Sequence, residues 1–428
     1  MTPTPHPPLP TPQSLDTSDP LAPYRNRFKI KEANLIYLDG NSLGRLPKQT
    51  STLVSKVVED QWGRRLIRSW NEGWYELSTQ LAEKLALIIG AKPHEVIFTD
   101  STSQNLFKLI TGALRFKKER TRIVSDVYNF PSDIYLLQGI KDLFGDRHKI
   151  VLAGAPDAVK MDNDELFHAI DKDTALVTLS HVVFKSAFMY DMKKVTEYAH
   201  KKGALVLWDL SHSAGAVPVK LNDCDVDLAV GCSYKYLNGG PGAPAFLYVR
   251  EGLQEKIKSP VWGWFGEENP FDFGLDYRPA RGIRKFLTGT PPVLSLSAIE
   301  PALDIILEAG MGKIREKSIN QTNYLLDLAK NSLFPLGFTS GSPENPQIRG
   351  SHISLKHHEA YRICKTMIDP KVGDYSVIPD FREPDNIRLG ITPLYTSYQE
   401  IYDAVLLMEK IVKEGLYEDY SAVRDEVT

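Results

Sequence analysis

Two side chains between Ala204 and Gly242 are of the types that could share a reaction. Asp209 ends an apolar run, Ala204 to Trp208, and Lys235 follows a second run, Val226 to Cys232, within Ser233-Tyr234-Lys235-Tyr236. A lysine amine can hold an aldehyde as a Schiff base. A carboxylate can keep a heterocyclic nitrogen protonated, so that the ring draws electrons from an attached carbanion. Each residue alone has a plainer fate, as a loop-capping aspartate or as a solvated lysine beside the turn Gly239-Gly240-Pro241-Gly242. If the two runs are neighbouring strands buried on both faces, amine and carboxylate emerge at the same carboxyl edge. That edge is where ligands bind in open α/β sheets.

Other residues could complete such a site. Asp100-Ser101-Thr102-Ser103 lies between an apolar run and a helical pattern, and hydroxyls at a helix N-terminus can hold phosphate or simply cap the helix. In Phe130-Pro131-Ser132-Asp133 an aromatic could stack on a ring and Asp133 could bond a ring substituent. The alternative is a core Phe and a capping Asp. Arg388, in Asn386-Ile387-Arg388-Leu389-Gly390, suits a bidentate carboxylate or an internal ion pair. Lys185 is a rival for the Schiff-base lysine, with His181 as a rival acid–base group, but it lacks the glycine turn and the tyrosine neighbours. His352, His357 and His358 show no metal-ligand spacing.

The elements that must position these residues alternate. Short apolar runs at 96–98, 123–124, 150–152, 175–179, 204–208, 226–232 and 245–249 predict about seven strands, with helical patterns between them. Such alternation predicts a mostly parallel sheet covered by helices. Before it, Leu35 to Leu38 reads as a strand ending in the turn-forming Asp39-Gly40-Asn41-Ser42-Leu43-Gly44. Amphipathic helices are expected over 47–63 and 78–89. After Pro291-Pro292 a long helical stretch to Leu333 breaks near Gly310 and Gly312. Strands at 353–355, 376–378 and 386–389 and helices at 358–367 and 397–412 follow. The expected organisation is a Pro-rich, loosely draped tail over 1–24 and a segment over 25–59 packing near the small domain. A large domain over 60–295 and a small α+β domain over 296–428 complete it.

Composition sets bounds. The chain has 428 residues and a formal net charge of -3, so no basic field points to nucleic acid or to anionic membrane. No apolar run approaches the roughly 20 residues of a membrane span. The start lacks the basic and apolar regions of a signal peptide. Three cysteines are too few and too scattered for a disulfide framework or a zinc site, and a reducing cytoplasm is expected.

Taken together the motifs resemble the kynureninase family of pyridoxal 5'-phosphate (PLP) enzymes. Those carrying the resemblance are Asp39 to Gly44, Phe130 to Asp133, Trp208-Asp209-Leu210-Ser211-His212-Ser213-Ala214-Gly215, Ser233 to Gly242 and Trp262-Gly263-Trp264-Phe265-Gly266. The resemblance implies the PLP-dependent transferase fold of the aspartate aminotransferase type. It implies Lys235 as the Schiff-base lysine, Asp209 on the pyridine nitrogen, Phe130 on the ring, and Asp133 and His212 on cofactor polar groups. Thr102, Ser103 and Tyr234 would hold the phosphate, with Tyr234 also an acid–base group. Trp264 and Thr290 would enter from the neighbouring subunit of a homodimer. Arg388 would bind the substrate α-carboxylate, with Ser42 and Trp70 near the aromatic ring. The implied reaction, part of tryptophan catabolism, is hydrolysis of L-kynurenine, or of its 3-hydroxy form, to the anthranilate and L-alanine. A cysteine desulfurase or aminotransferase of the same fold is the alternative. Desulfurases carry His where this chain has Tyr234 and need a mobile cysteine, whereas Cys364 falls in a helical pattern.

Overall fold

The apolar runs become strands, and their order in space decides where reactive side chains can meet. The computed structural model describes residues 9–155 and 158–423. Strand β1 (Leu35–Tyr37) lies outside the central sheet. That sheet holds β2 (Val96–Phe98), β3 (Arg122–Asp126), β4 (Lys149–Ala153), β5 (Thr174–Ser180), β6 (Leu205–Asp209), β7 (Leu228–Gly231) and β8 (Phe246–Val249). The spatial order is β2-β8-β7-β6-β5-β3-β4. Only β8 runs against the others, antiparallel to both β2 and β7. The chain therefore has the mostly parallel seven-stranded α/β sheet its alternating pattern predicts.

Strand β6 shows why the runs lack polar alternation. Every residue from Leu205 to Asp209 is buried. Leu205 and Leu207 enter one apolar cluster, with Leu176, Leu228 and Leu247, while Val206 and Trp208 enter another, with Val124, Val177 and Phe246. Both faces are thus covered, by helices such as Thr102–Phe116 and Met192–Lys201. Each fully buried Leu or Val contributes about 1.5–3 kcal/mol relative to exposure. Parallel pairing sets the register Ser180↔Asp209 and Asp209↔Val230, so the carboxyl ends of β5, β6 and β7 finish at one level.

The C-terminal part is built on β9 (Thr339–Ser340), β10 (His352–Lys356), β11 (Ser376–Ile378), β12 (Asp380–Arg382) and β13 (Asn386–Gly390). Four of these form an antiparallel sheet in the order β12-β13-β10-β9, and β11 pairs in parallel with β1. The long helical stretch is two helices, Val293–Ala309 and Met311–Ser332, and the break falls at Gly310, whose φ of 80° interrupts the helix. A separate apolar cluster joins Ile353, Ile387 and Leu389 to Ile36, Leu38 and Met408.

Three expectations need correction. The Pro-rich segment is not loosely draped over 9–24. Pro12–Thr17 is a helix capped by Thr11, Leu21 is buried, and Asp19 pairs with Lys317 at 2.6 Å. Asp16 accepts from the backbone N–H groups of Tyr398 and Gln399 at 2.7 and 3.0 Å, at the start of helix Tyr398–Lys413. Proline at the first helical position is tolerated, and the interspersed Leu and Asp side chains supply the docking. The rest of that segment, 1–8, lies outside the described residues. The helix expected over 47–63 is α-helical only from Lys48 to Lys56 and continues to Arg65 with π winding. Strand β12 was not foreseen, because three residues ending at a Glu-Pro-Asp turn give too short a pattern.

Candidate active site

A cavity of about 790 Å³ opens at the carboxyl edge of the central sheet and is closed on its far side by the C-terminal sheet. Four strand ends supply its floor. After β6 the chain turns at once, with Asp209 Oδ1 accepting from the Ser211 N–H at 2.7 Å, which places His212 over the edge. After β7 come Tyr234 and Lys235. Lys235 Nζ lies 3.0 Å from His212 Nε2 and 5.9 Å from the centre of the Phe130 ring. Phe130 precedes helix Pro131–Leu143, whose first turn holds Asp133. After β2, Ser101 caps helix Thr102–Phe116 and bonds Gln104 in a reciprocal capping box, so Thr102 and Ser103 sit at the open N-terminus facing the cavity.

Two glycine positions explain a motif that carries no chemistry itself. A Cβ on Gly44 would collide with the Lys235 carbonyl oxygen, and one on Gly390 would collide with the Asn41 side-chain amide. The loop Asp39 to Gly44 is therefore pressed between the lysine loop and β13. It delivers Ser42 to Arg388, whose Nη2 donates to Ser42 Oγ at 2.9 Å. With its amide oxygen toward the guanidinium, Asn41 accepts from Arg388 Nε at 2.8 Å.

Electrostatics differ along the cavity. Burial pushes the carboxyls of Asp133 and Asp209 up. The nearby Asp209 charge raises Asp133 further, while bonds from Ser211 and the Lys235 charge oppose the rise at Asp209. Burial holds the His212 ring well below the ordinary histidine range, and the Lys235 charge adds to this, so His212 is neutral beside the amine. Burial keeps the Tyr234 phenol protonated. At the helix N-terminus burial alone would raise Asp100, but Lys108 at 2.7 Å and the Thr288 hydroxyl at 2.6 Å hold it below its usual range. Arg388 is buried with Asp380, its partner across the β12–β13 pair, and burial lowers the guanidinium while Asp380 opposes that. Asp39, beside them, is pushed up to about 6, first by burial and then by Asp380.

The residues present fit a PLP group. Asp133 Oδ2 and His212 Nδ1 are buried without hydrogen-bond partners, though both residues line the cavity. Buried polar atoms of this kind are normally paired, so the pair points to a polar ligand in the space between. A lysine amine, a carboxylate, an exposed aromatic face on Phe130 and an open helix N-terminus with two hydroxyls match an aldehyde, a ring nitrogen, a ring and a phosphate.

Of the residues singled out from sequence, Ser42, Thr102, Ser103, Phe130, Asp133 and Asp209 border this one cavity. So do His212, Tyr234, Lys235, Thr290 and Arg388. Thr290 was expected from a second subunit but borders the cavity of its own chain. Trp264 and Trp70 do not border it. Trp264 donates from Nε1 to the Pro270 carbonyl at 2.6 Å, and Trp70 packs on Phe265 and Trp74 at 5.6 Å each. The rival Lys185 faces a separate, smaller cavity. Rival His181 is buried behind the edge, bonded to Ser213 at 3.0 Å, with burial pushing it down to about 4. Sequence reasoning missed Asp380 and Arg382. The available signal was alternation, since Asp380 and Arg382 are two residues apart and the Glu383-Pro384-Asp385 turn returns the chain to Asn386 and Arg388.

Comparison with known proteins agrees with this geometry. The chain is 42% identical over 404 residues to the kynureninase of Pseudomonas fluorescens, covering 93% of this chain and 94% of that one. The chain belongs to the kynureninase family. The kynureninase of Burkholderia pseudomallei is 40% identical over the same shares. The family model of the kynureninase C-terminal domain matches residues 314–408, which include β10 to β13 and Arg388. Among solved structures, an apo cysteine desulfurase from Thermococcus onnurineus superposes with a TM-score of 0.74 at 21% identity, over 95% of this chain and 99% of that one. A C-DES mutant with glycine covalently linked to its PLP cofactor gives 0.77 at 18%, over 90% and 98%. At such identities these structures share the fold, while the kynureninase family carries the closer sequence likeness.

Proposed function

We propose that this chain is a PLP-dependent kynureninase that hydrolyses L-kynurenine to anthranilate and L-alanine. The observation that carries the reading is the convergence of Lys235, His212, Asp209 and Arg388 on one cavity in a member of the kynureninase family. When bound, PLP supplies an electron sink for the charge released at the substrate carbon atoms. Lys235 would hold the cofactor through its aldehyde and is placed to move the proton at the substrate Cα. Neutral His212, 3.0 Å away, can accept a hydrogen bond from that amine and orient it. The Asp209 carboxylate would pair with the ring nitrogen, and a protonated nitrogen there would offset the burial that raises the Asp209 pKa. Phe130 would cover one ring face, and Asp133 and His212 Nδ1 would meet cofactor polar groups. Thr102, Ser103 and Tyr234 hold the phosphate. Tyr234, kept protonated by burial and with its ring centre 6.0 Å from the amine, offers a phenol O–H to the γ-carbonyl oxygen as water adds. Arg388 and Ser42 hold the α-carboxylate.

The reading extends to assembly and location. Trp262, Phe273 and Leu275 are 67%, 73% and 103% exposed around Trp264, an apolar segment suited to a second copy in a homodimer whose subunits share sites. The two sheets with their own apolar clusters act as two domains with a boundary near 295. Three unpaired cysteines fit a reducing cytoplasm, and no helix of the described residues is long and apolar enough to cross a membrane. The desulfurase alternative lacks its nucleophile, because no cysteine borders the cavity among the described residues and Cys364 is fully buried in helix Ala360–Ile368.

The test is anthranilate fluorescence after mixing the PLP-loaded chain with L-kynurenine, repeated with 3-hydroxykynurenine. A steady rise is expected with one or both. A yellow protein that releases neither anthranilate nor 3-hydroxyanthranilate would overturn the reading and return the chemistry to a transaminating or desulfurising relative.

A further inference from the structure

Arg388 has five N–H groups, and the surrounding chain already uses most of them. Nη1 donates to the Phe184 carbonyl at 2.7 Å, Nε to Asn41 at 2.8 Å and Nη2 to Ser42 at 2.9 Å, and Nη2 is also ion-paired with the Asp380 carboxylate. One N–H of Nη1 is left. A planar carboxylate is bound most tightly by two parallel N–H groups. Arg388 could offer that fork only by letting go of Asp380, which would strand a buried carboxylate. As the sole binder of a substrate carboxylate it is therefore poorly prepared.

A second guanidinium stands beside it. Asp380 and Arg382 are alternate residues of β12 and so project from the same face, and Asp380 is directly opposite Arg388 in the β12–β13 register. Arg382 Nε lies 3.0 Å from Asp380 Oδ2, the oxygen that also contacts Arg388. Neither η nitrogen of Arg382 has a partner among the described residues, and the side chain is 36% exposed where it borders the cavity. Asp380 thus fixes the inner edge of Arg382 and leaves its outer edge open to the substrate space.

We propose that Arg382 presents its open Nη edge to the substrate α-carboxylate, so that the carboxylate is bound jointly by Arg382 and the remaining N–H of Arg388. Asp380 is the positioning residue that aligns both guanidiniums. The proposal rests on the kynureninase reading and on the carboxylate lying at Arg388.

The experiment uses the PLP-loaded full chain with Arg382→Gln, Arg382→Lys and Arg388→Gln variants, each checked for unchanged cofactor absorbance and melting temperature. Steady-state kinetics with L-kynurenine are combined with competitive inhibition by L-alanine and by L-alaninamide, which differ only in the carboxylate. Arg382→Gln is expected to raise KM and the L-alanine inhibition constant roughly tenfold or more, the scale of one lost charge-assisted hydrogen bond, with kcat within about threefold. L-Alaninamide inhibition should not move, and Arg382→Lys should recover part of the loss. If Arg388→Gln raises KM but Arg382→Gln leaves it within about twofold, the inference falls while the functional reading stands. An equal shift for alanine and alaninamide would likewise overturn it, by showing that Arg382 only shapes the pocket. If neither variant changes KM, the carboxylate does not lie here and both readings fail together.

Discussion

The two walls of the cavity solve opposite problems. On the wall made by the central sheet, buried polar atoms wait without partners, as at Asp133 Oδ2 and His212 Nδ1, and burial has pushed the carboxyls of Asp133 and Asp209 toward their neutral forms. On the wall made by β12 and β13, buried charge is already matched, with Asp380 between two guanidiniums and Asn41, Ser42 and the Phe184 carbonyl on Arg388. The first wall is built for a resident group that completes it. The second is balanced in charge by itself, with Asp380 Oδ2 and Arg382 Nε meeting as an ion pair, and leaves one edge for a passing substrate. A buried site without its counterpart costs the empty protein stability and gains it on loading, whereas a charge-balanced one supports the fold whether or not ligand is present.

Substitutions can break that contrast. The largest effect is expected from Lys235→Ala, which removes the amine from the first wall. Anthranilate release should fall by at least about a thousandfold, and the visible absorbance of the bound cofactor should change. Full turnover by this variant would sink the functional reading. Next is Asp380→Asn on the second wall. It leaves Arg388 buried without its counter-charge and should lower stability by about 3–5 kcal/mol in denaturant titration, with or without PLP. A loss confined to the loaded protein would show that the pair is not part of the fold.

A pH effect follows from His181, which is held at about 4 against an unfolded value near 6.5. A depressed histidine is neutral in the folded chain, so the unfolded chain takes up its proton first as pH falls. The stability it contributes is present above about pH 6.5 and is lost down to about pH 4, a change of about 3 kcal/mol. His181→Gln should flatten that part of the stability profile, and a profile identical to that of the parent would place the titration elsewhere. The smallest effect has the opposite sign to Asp380→Asn. Asp133 has a folded pKa raised above its unfolded value, so at neutral pH and above its ionisation works against the folded state. Asp133→Asn should raise the melting temperature of the cofactor-free chain by about 2 °C while reducing the further gain on adding PLP. A fall in the cofactor-free chain would show that Asp133 is already satisfied there.

The legibility of the site followed the kind of spacing involved. Residues tied to a strand end by a few positions, such as Asp209 with His212 or Ser101 with Thr102 and Ser103, could be read because turn and cap chemistry is local. Arg388 was visible as an arginine in an apolar run, but Asp380 and Arg382 were not, since their meaning comes from pairing β12 against β13. The packed state of residues 9–24 was missed for a similar reason. Proline content describes what a segment cannot do alone, while its order comes from Lys317 and from the start of helix Tyr398–Lys413.

By itself, the sequence determined the alternating strands and helices, the lysine and aspartate at neighbouring strand ends, and the family, because period and motif are properties of contiguous residues. Only the tertiary structure decided which orphaned atoms face the cavity, how many N–H groups Arg388 keeps, and that Arg382 stands beside it. Hydrogen-bond capacity is divided among residues far apart in the chain, as Ser42 and Arg388 are at 346 positions, and that division exists only once the chain has folded.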